Sequence, residues 1–130
     1  MSIKEMIAEH PDVAGHDNEY LTQAVRYAML CAAICNSCAD ACAAEPDANE
    51  RGDCIRKCND CADICTATYR VASRRTGGNE AILKSMLTLC VEACETCAEM
   101  CEGMDDDHCK RCAKMCRECA EDCRKAAANL

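Results

Sequence analysis

The sequence predicts an all-α protein: an up-down-up-down antiparallel four-helix bundle with a short helical lead-in at the N-terminus. Two observations support this prediction. Cysteines separated by steps of four, three and four residues recur in four blocks, and such steps keep side chains on one face of an α-helix. Short segments that contain Gly, Pro, Asn or Asp separate the blocks. Short connections make consecutive helices antiparallel neighbours.

The four cysteine blocks contain sixteen of the seventeen cysteines. They are Cys31, Cys35, Cys38 and Cys42; Cys54, Cys58, Cys61 and Cys65; Cys90, Cys94, Cys97 and Cys101; and Cys112, Cys116, Cys119 and Cys123. The remaining cysteine is Cys109. The mean step of about 3.5 residues is that of the a and d positions through which bundled helices pack. Cysteine therefore occupies positions where a bundle usually carries leucine.

Residues 1–16 are predicted to form a lead-in segment with one short helix. Ser2 and Glu5 have the spacing of a capping box at its start, and Pro11 is expected to end it. The remaining residues, 17–130, are predicted to form the bundle. A chain of this length is expected to hold one domain.

The four long helices are expected at about residues 18–44, 49–74, 80–102 and 106–127. Asp17 is predicted to cap the first of them, and Asn79 the third. Pro46 and the glycines after the second and third cysteine blocks mark the breaks between helices.

Extending the same spacing of three and four residues beyond the cysteines predicts two different ends for the bundle. At one end these positions hold mostly apolar residues: Leu21, Ala24, Ala28, Tyr69, Ala72, Leu83, Leu87, Ala126 and Leu130. The other end carries Glu45, Arg51, Met104, His108 and Cys109. We expect one end to be closed by an apolar plug and the other to be lined with polar and soft-ligand groups.

Composition argues against several classes of partner. The net charge is −8, with 23 acidic and 15 basic residues, whereas binding of nucleic acid requires a basic face. We expect no membrane span, because no apolar run approaches the roughly 20 residues that one requires. The N-terminus lacks a basic region followed by an apolar one, so no export signal is expected and the predicted location is cytoplasmic.

The abundance of cysteine has two structural explanations, a disulfide scaffold and simple core filler. Disulfide scaffolds are mostly exported and rich in loops, whereas this chain has an odd number of cysteines at helical spacing. Alanine, valine or leucine would fill a core without the risk of oxidation. Neither explanation accounts for sixteen cysteines in register.

Metal binding explains the pattern better, because thiolates are soft ligands that select Cu(I), Zn(II) or iron–sulfur clusters. If each thiolate bridges two ions and each ion has two ligands, seventeen thiolates neutralise about as many Cu(I) ions. Separate tetrahedral zinc sites would each leave a charge of about −2. Iron–sulfur clusters usually take their cysteines from loop motifs that are missing here. A zinc or cadmium buffer stays open as the second choice among metals.

A thiol–disulfide redox protein is the alternative of a different class. Five Cys-x-x-Cys pairs occur: Cys35/Cys38, Cys58/Cys61, Cys94/Cys97, Cys109/Cys112 and Cys116/Cys119. A redox motif needs an exposed cysteine of low pKa near a helix N-terminus, usually beside a βαβ pattern. Most of these pairs fall within predicted helices and no strand pattern is present. We therefore expect the protein not to be an enzyme.

Two other residues are candidate metal ligands at the polar end of the bundle. His108 precedes Cys109 and would lie beside the row of thiols. Met104 continues the rhythm of the third cysteine block and offers a thioether. For each of them, an ordinary role is the alternative: solvation for His108 and packing for Met104.

The fourfold Cys-x-x-x-Cys-x-x-Cys-x-x-x-Cys pattern resembles that of the bacterial copper storage proteins over about residues 17–127. The lack of an export signal is similar to the cytosolic branch of that family. The resemblance implies a homotetramer of four-helix bundles, each of which stores many Cu(I) ions on its core cysteines. It also implies that a histidine assists the ions at one end, and His108 is the matching position.

Overall fold

The computed structural model describes residues 2–130. Within that range the chain forms five α-helices and no strand: α1 (Ile3–Ala8), α2 (Glu19–Ala44), α3 (Gly52–Ala72), α4 (Glu80–Glu102) and α5 (Asp107–Ala128). Both α2 and α4 pack against α3 and α5, and α1 contacts α2. The four long helices thus form a closed ring in which α2 and α4 are diagonally opposite. The predicted fold class is confirmed.

The helix caps agree in part with the predicted ones. Ser2 accepts a hydrogen bond from the Glu5 amide at 3.3 Å and caps α1. The prediction that Asp17 caps α2 is wrong, because the Asn18 side chain accepts from the Leu21 amide. Asn79 stands at the N-cap position of α4, but its side chain accepts from the Thr76 amide instead of capping that helix.

The second long helix, α3, begins three residues later than predicted. Residues Ala48–Glu50 form a 3-10 turn, and Arg51 follows with φ −106° and ψ 16°, outside the α-helical region. The α-helix starts at Gly52. The turn brings Arg51 to the end of the bundle, where its side chain points inward.

The closed end of the bundle is apolar, as predicted. Leu21, Leu83 and Leu87 are at most 1% exposed, and Tyr69 and Leu130 pack partly buried against the same core. The helix ends meet here, since Arg75 after α3 donates to the Leu130 carbonyl at 2.6 Å. These side chains close one end of the thiol-lined core.

Helix α2 corrects the expectation that no stretch is apolar enough to cross a membrane. By length and composition it could span one, and 39% of its most apolar stretch is buried within the bundle. Much of that apolar character comes from alanine and from the four cysteines that it contributes to the core. Core helices of soluble proteins have the same composition, so this feature alone does not indicate a membrane protein.

Candidate metal centre

Seventeen thiols fill the centre of the bundle. Each cysteine block lies along the inward stripe of its helix, because its steps match the helical repeat. Every cysteine is at most 3% exposed. Each block is roughly 16 Å long at 1.5 Å per residue, so the four blocks together form a narrow tube whose wall is sulfur.

The sulfur atoms are close to one another along the whole tube. Near the plug, the Cys65 Sγ lies 3.7 Å from both Cys90 Sγ and Cys94 Sγ. At mid-tube, Cys35 Sγ is 3.4 Å from Cys116 Sγ. Other cysteines continue this series of contacts to the polar end, where Cys42 Sγ and Cys109 Sγ are 3.6 Å apart.

These distances are those of free thiols. A disulfide bond requires a sulfur–sulfur distance of about 2.05 Å, and all seventeen cysteines in residues 2–130 are unpaired. The two cysteines of a Cys-x-x-Cys redox motif should include one exposed thiol. Even Cys109, in the first turn of α5, is fully buried. The structure therefore favours neither the disulfide scaffold nor the redox protein.

Groups of four ligand atoms within 4.8 Å of one another recur along the tube. They include Cys31/Cys61/Cys65/Cys94, Cys31/Cys35/Cys61/Cys116, Cys35/Cys97/Cys112/Cys116, Cys38/Cys58/Cys101/Cys112 and Cys38/Cys42/His108/Cys109. Successive groups have sulfur atoms in common: Cys35 and Cys116, for example, each belong to two of them. This arrangement suits metal ions that share bridging thiolates. It does not suit isolated sites in which each ion has four ligands that it shares with no other ion.

Cysteine pairs on the same helix contribute to these groups. Cysteines four residues apart bring their sulfur atoms to 3.7 Å in Cys31/Cys35 and to 3.9 Å in Cys61/Cys65. Two cysteines on one helical turn can therefore bind one ion together. The packing of α2 against α5 and of α3 against α4 supplies the sulfur atoms on the facing helix.

His108 lies at the polar end of the tube, which we call the mouth and define by Cys38, Cys42, Arg51, His108 and Cys109. Its Nδ1 atom is 3.4 Å from Cys38 Sγ and 3.5 Å from Cys109 Sγ. Its side chain is 29% exposed, so the imidazole connects solvent with the outermost thiols. The predicted position of His108 beside the thiols is confirmed.

Hydrogen bonds and burial at the mouth shift the pKa values of His108, Cys42 and Cys109. The hydrogen bond with Cys38, followed by that with Glu45, raises the pKa of His108 against the opposing effect of burial. Burial raises the pKa of Cys42 to about 11, although hydrogen bonds from Arg51 and Cys109 act in the opposite direction. Burial likewise raises the pKa of Cys109. These two thiols are therefore protonated at neutral pH until a metal displaces the protons.

Met104 occupies a different part of this end. It lies in the connection between α4 and α5, partly buried against the core. It lines a surface groove together with Met100, Gly103 and Lys57. This groove runs beside α4, whereas His108 faces α2 through Cys38 and Glu45.

Arg51 is the residue of the mouth to which the sequence analysis gave no role. Only 7% of it is exposed, and its Nη1 atom is 3.7 Å from Cys42 Sγ and 4.0 Å from Cys109 Sγ. A signal was present in the sequence, because Arg51 stands three residues before Cys54 and so continues that cysteine rhythm. A charged residue at a core position is unusual unless it is paired.

Comparison with protein families matches residues 17–128 to the copper storage protein family, Csp. No curated protein matches. Among solved structures, the chain is similar to the copper storage protein Ccsp from Streptomyces lividans loaded with 10 copper equivalents. The two are 36% identical with a TM-score of 0.91, over 99% of this chain and 100% of that one.

Two further structures agree with this match. One concerns copper loading, with five coppers, of a cytosolic copper storage protein from Streptomyces lividans, at 38% identity and a TM-score of 0.81 over 86% of this chain and 95% of that one. The other is the Cu(I)-bound copper storage protein BsCsp3. It is 33% identical with a TM-score of 0.75, over 83% of this chain and 98% of that one.

Proposed function

The chain belongs to the copper storage protein family, and on that premise we propose that it stores many Cu(I) ions in the cytosol, on thiolates inside the bundle. The observation that carries this function is the run of four-ligand groups with sulfur atoms in common. A bridging thiolate shares its single negative charge between two Cu(I) ions, so a core with one thiolate per ion fills without the accumulation of buried charge.

The same observation separates copper from zinc. Each Zn(II) requires about four ligands in tetrahedral array, and sharing one sulfur between neighbouring groups would leave few separate sites. Cu(I) is a soft ion that thiolates select, and it needs fewer ligands per ion. The chemistry of the tube therefore favours many Cu(I) ions over a few divalent ones.

We assign the ligand set to all seventeen cysteines, with His108 as an additional ligand at the mouth. The support for His108 is its position 3.4 Å from Cys38 Sγ, between solvent and the thiols. Met104 is an auxiliary ligand for ions that approach from outside, since its thioether lies at the same end of the bundle. The protein has no catalytic role in this proposal.

Ions reach the tube through the mouth. At that end His108 is partly exposed and Cys38, Cys42 and Cys109 lie directly behind it. An incoming ion can exchange from ligand to ligand along the sulfur atoms. Among residues 2–130, the plug at the other end is built on the buried side chains of Leu21, Leu83 and Leu87, which cannot bind a metal ion.

The bundle assembles into a homotetramer. Helix α2 has only three charged residues in 26, against ten in 22 for α5. Its outer surface carries a stripe of Tyr20, Tyr27, Leu30 and Ile34, of which Leu30 is 49% exposed. Exposed apolar stripes of this kind mark protein–protein contacts.

A second apolar stripe on α4 supports a tetramer over a dimer. It consists of Ile82, Met86 and Leu89, with Ile82 65% and Leu89 44% exposed. Since α2 and α4 are diagonally opposite, the two stripes face in different directions. Two distinct self-complementary surfaces on one chain are what a closed tetramer of dihedral symmetry requires.

Anaerobic titration with Cu(I) in the presence of a competing chelator tests the storage function. We expect uptake of roughly one ion per cysteine, because bridging thiolates serve more than one ion. Saturation near four ions would indicate separate four-thiolate sites and contradict storage. Titration with Zn(II) in parallel gives the comparison, and we expect it to saturate at far fewer ions.

A further inference from the structure

Arg51 holds a buried positive charge at the mouth of the tube. Its Nε atom donates to Asp47 Oδ1, and its Nη1 atom donates to Asp106 Oδ2, both at 2.6 Å. The same Nη1 atom is 3.7 Å from Cys42 Sγ and 4.0 Å from Cys109 Sγ. The guanidinium therefore contacts carboxylates on its outer side and the outermost pair of thiols on its inner side.

The two carboxylates fix Arg51 in place. Asp47 belongs to the connection between α2 and α3, and Asp106 to the connection between α4 and α5. Arg51 thus joins the two connections across the end of the bundle. Since its planar guanidinium donates to both carboxylates at once, the position of Nη1 relative to the sulfur atoms is set before any metal arrives.

The position of Arg51 matters for the charge that Cu(I) binding leaves on the neighbouring thiolates. When one Cu(I) binds to two thiols, two S–H bonds break, two protons leave to solvent, and the site changes by one negative charge. Deeper in the tube, thiolates shared with neighbouring ions remove that excess. The Cys42/Cys109 pair is at the end of the series, so fewer neighbouring ions are available on its outer side.

The carboxylate of Asp106, beside the Cys42/Cys109 pair, adds to this excess of negative charge. Asp106 Oδ2 is 3.7 Å from Cys109 Sγ, and a carboxylate next to a metal-bound thiolate repels it. Arg51 lies in contact with both groups. Without the guanidinium, an ion held by Cys42 and Cys109 would carry an uncompensated buried charge, which is costly.

We propose that Arg51 is a positioning residue whose guanidinium, contacting Cys42 and Cys109, holds the outermost Cu(I) ions in the tube by compensating the excess charge of their thiolates. This inference rests on the proposed storage function. It predicts that Arg51 controls the ions that leave first, and that it has little effect on those bound deeper.

The test compares four full-length proteins: wild type, Arg51→Met, Arg51→Lys and Arg56→Met. The last is a matched control, since Arg56 is 71% exposed and pairs with Asp53 on the same helix, yet its replacement changes the net charge equally. Each protein is loaded with Cu(I) anaerobically. An excess of a Cu(I) chelator is then added, and the rate of ion release is followed by the absorbance of the chelator complex.

We expect the fastest one or two ions to leave Arg51→Met about ten to a hundred times faster than wild type, as loss of a hydrogen bond to a charged group implies. Arg51→Lys should release these ions at a rate between those of Arg51→Met and wild type, because lysine restores the positive charge without the planar guanidinium. The slower ions and the Arg56→Met protein should release as wild type does. Release from Arg51→Met at the wild-type rate would overturn the proposal.

Asp106→Asn separates charge compensation from a purely mechanical bridge between the two connections. The amide oxygen can still accept from Arg51, while the negative charge beside Cys109 is gone. Charge compensation predicts release no faster than wild type. Faster release from this variant, or equally fast release from Arg51→Lys and Arg51→Met, would show a mechanical role and contradict the proposal.

Total uptake by the wild type is measured in the same experiment. If it saturates near four ions, the storage function itself fails, whatever the variants do. If the wild type stores many ions and the Arg51 variants release them unchanged, only the inference about Arg51 fails. Far-ultraviolet circular dichroism of each metal-free variant checks that the bundle is folded.

Discussion

Glu45 Oε1 lies 3.0 Å from His108 Nε2. With that nitrogen donating to the carboxylate, Nδ1 presents its lone pair to Cys38 and Cys109. A carboxylate behind a histidine fixes the ring orientation and raises its basicity as a ligand. In the proposed function, this contact with Glu45 prepares His108 to receive an ion at the mouth.

The first prediction concerns the rate of loading. His108→Ala should slow uptake from a Cu(I) donor in stopped-flow measurements and barely change capacity, since all the cysteines are retained. Adding Met104→Ala should slow uptake further. If the double variant loads as fast as His108→Ala alone, Met104 is not part of the path.

The orientation of His108 gives a second prediction. Glu45→Ala should slow loading, because His108 loses the partner that fixes its ring. Glu45→Gln keeps an oxygen acceptor at the same position and should load nearly as fast as wild type. Equal rates for both variants, measured by the same stopped-flow assay, would contradict a role for this contact.

A third prediction concerns the plug. Leu87→Ala should lower the free energy of unfolding of the metal-free protein by about 2 to 5 kcal/mol, because Leu87 is fully buried. Urea denaturation followed by circular dichroism measures this change, with exposed Lys84→Ala on the same helix as control. Loading through the mouth should be unaffected, and faster loading of the Leu87→Ala protein would show that ions also pass the plug.

The raised pKa of Cys42 leads to a fourth prediction, on pH dependence. Burial raises this pKa from the ordinary 9.0 to about 11, so the folded protein retains a proton that the unfolded chain loses above about pH 9. The contribution of Cys42 to the stability of the metal-free protein should therefore be constant below pH 9 and be lost from pH 9 to 11. Each pKa unit corresponds to about 1.4 kcal/mol.

Thermal unfolding under reducing, anaerobic conditions measures this dependence. At neutral pH the metal-free protein should already be helical, because protonated cysteines behave as small apolar residues. The Cu(I)-loaded protein should show no such fall, since its thiols have already lost their protons. An unfolding temperature of the metal-free protein that stays constant up to pH 11 would contradict the prediction.

The fifth prediction concerns assembly. Leu30→Glu and Leu89→Glu should each break one of the two proposed interfaces and convert the tetramer to a dimer, because a charge cannot be buried there unpaired. The double variant should be a monomer. Native mass spectrometry gives the mass, and Lys114→Glu on the charged outer face of α5 is the control. An unchanged mass for all variants would place the interfaces elsewhere.

Much of this structure could be predicted from the spacing of the cysteines. A 4-3-4 repeat fixes which face of each helix is buried, and the short connections fix the order of packing. The choice of Asn18 over Asp17 as a cap could not be predicted, because the two residues are neighbours with similar preferences and the cap depends on where the helix begins. The 3-10 turn before α3 could not be predicted either, because it also depends on where the following helix begins.

The mouth was harder to predict than the tube. The pattern placed Arg51, Glu45 and His108 at one end, and that is where they lie. Their pairings depend on how the two connections meet in space: Arg51 contacts Asp106, 55 residues away, and His108 contacts Glu45, 63 residues away. Side-chain contacts over such separations are not encoded in a local repeat.

Because the tube has one apolar end and one mouth, we expect copper ions to bind and leave in a fixed order. Ions that bind first can move inward along the shared sulfur atoms, and those that bind last stay beside His108 and Arg51. If ions also leave through the mouth, the most recently acquired copper is the first that a cell can use. Copper beside the plug, near Cys65 and Cys90, would then be released after the outer ions.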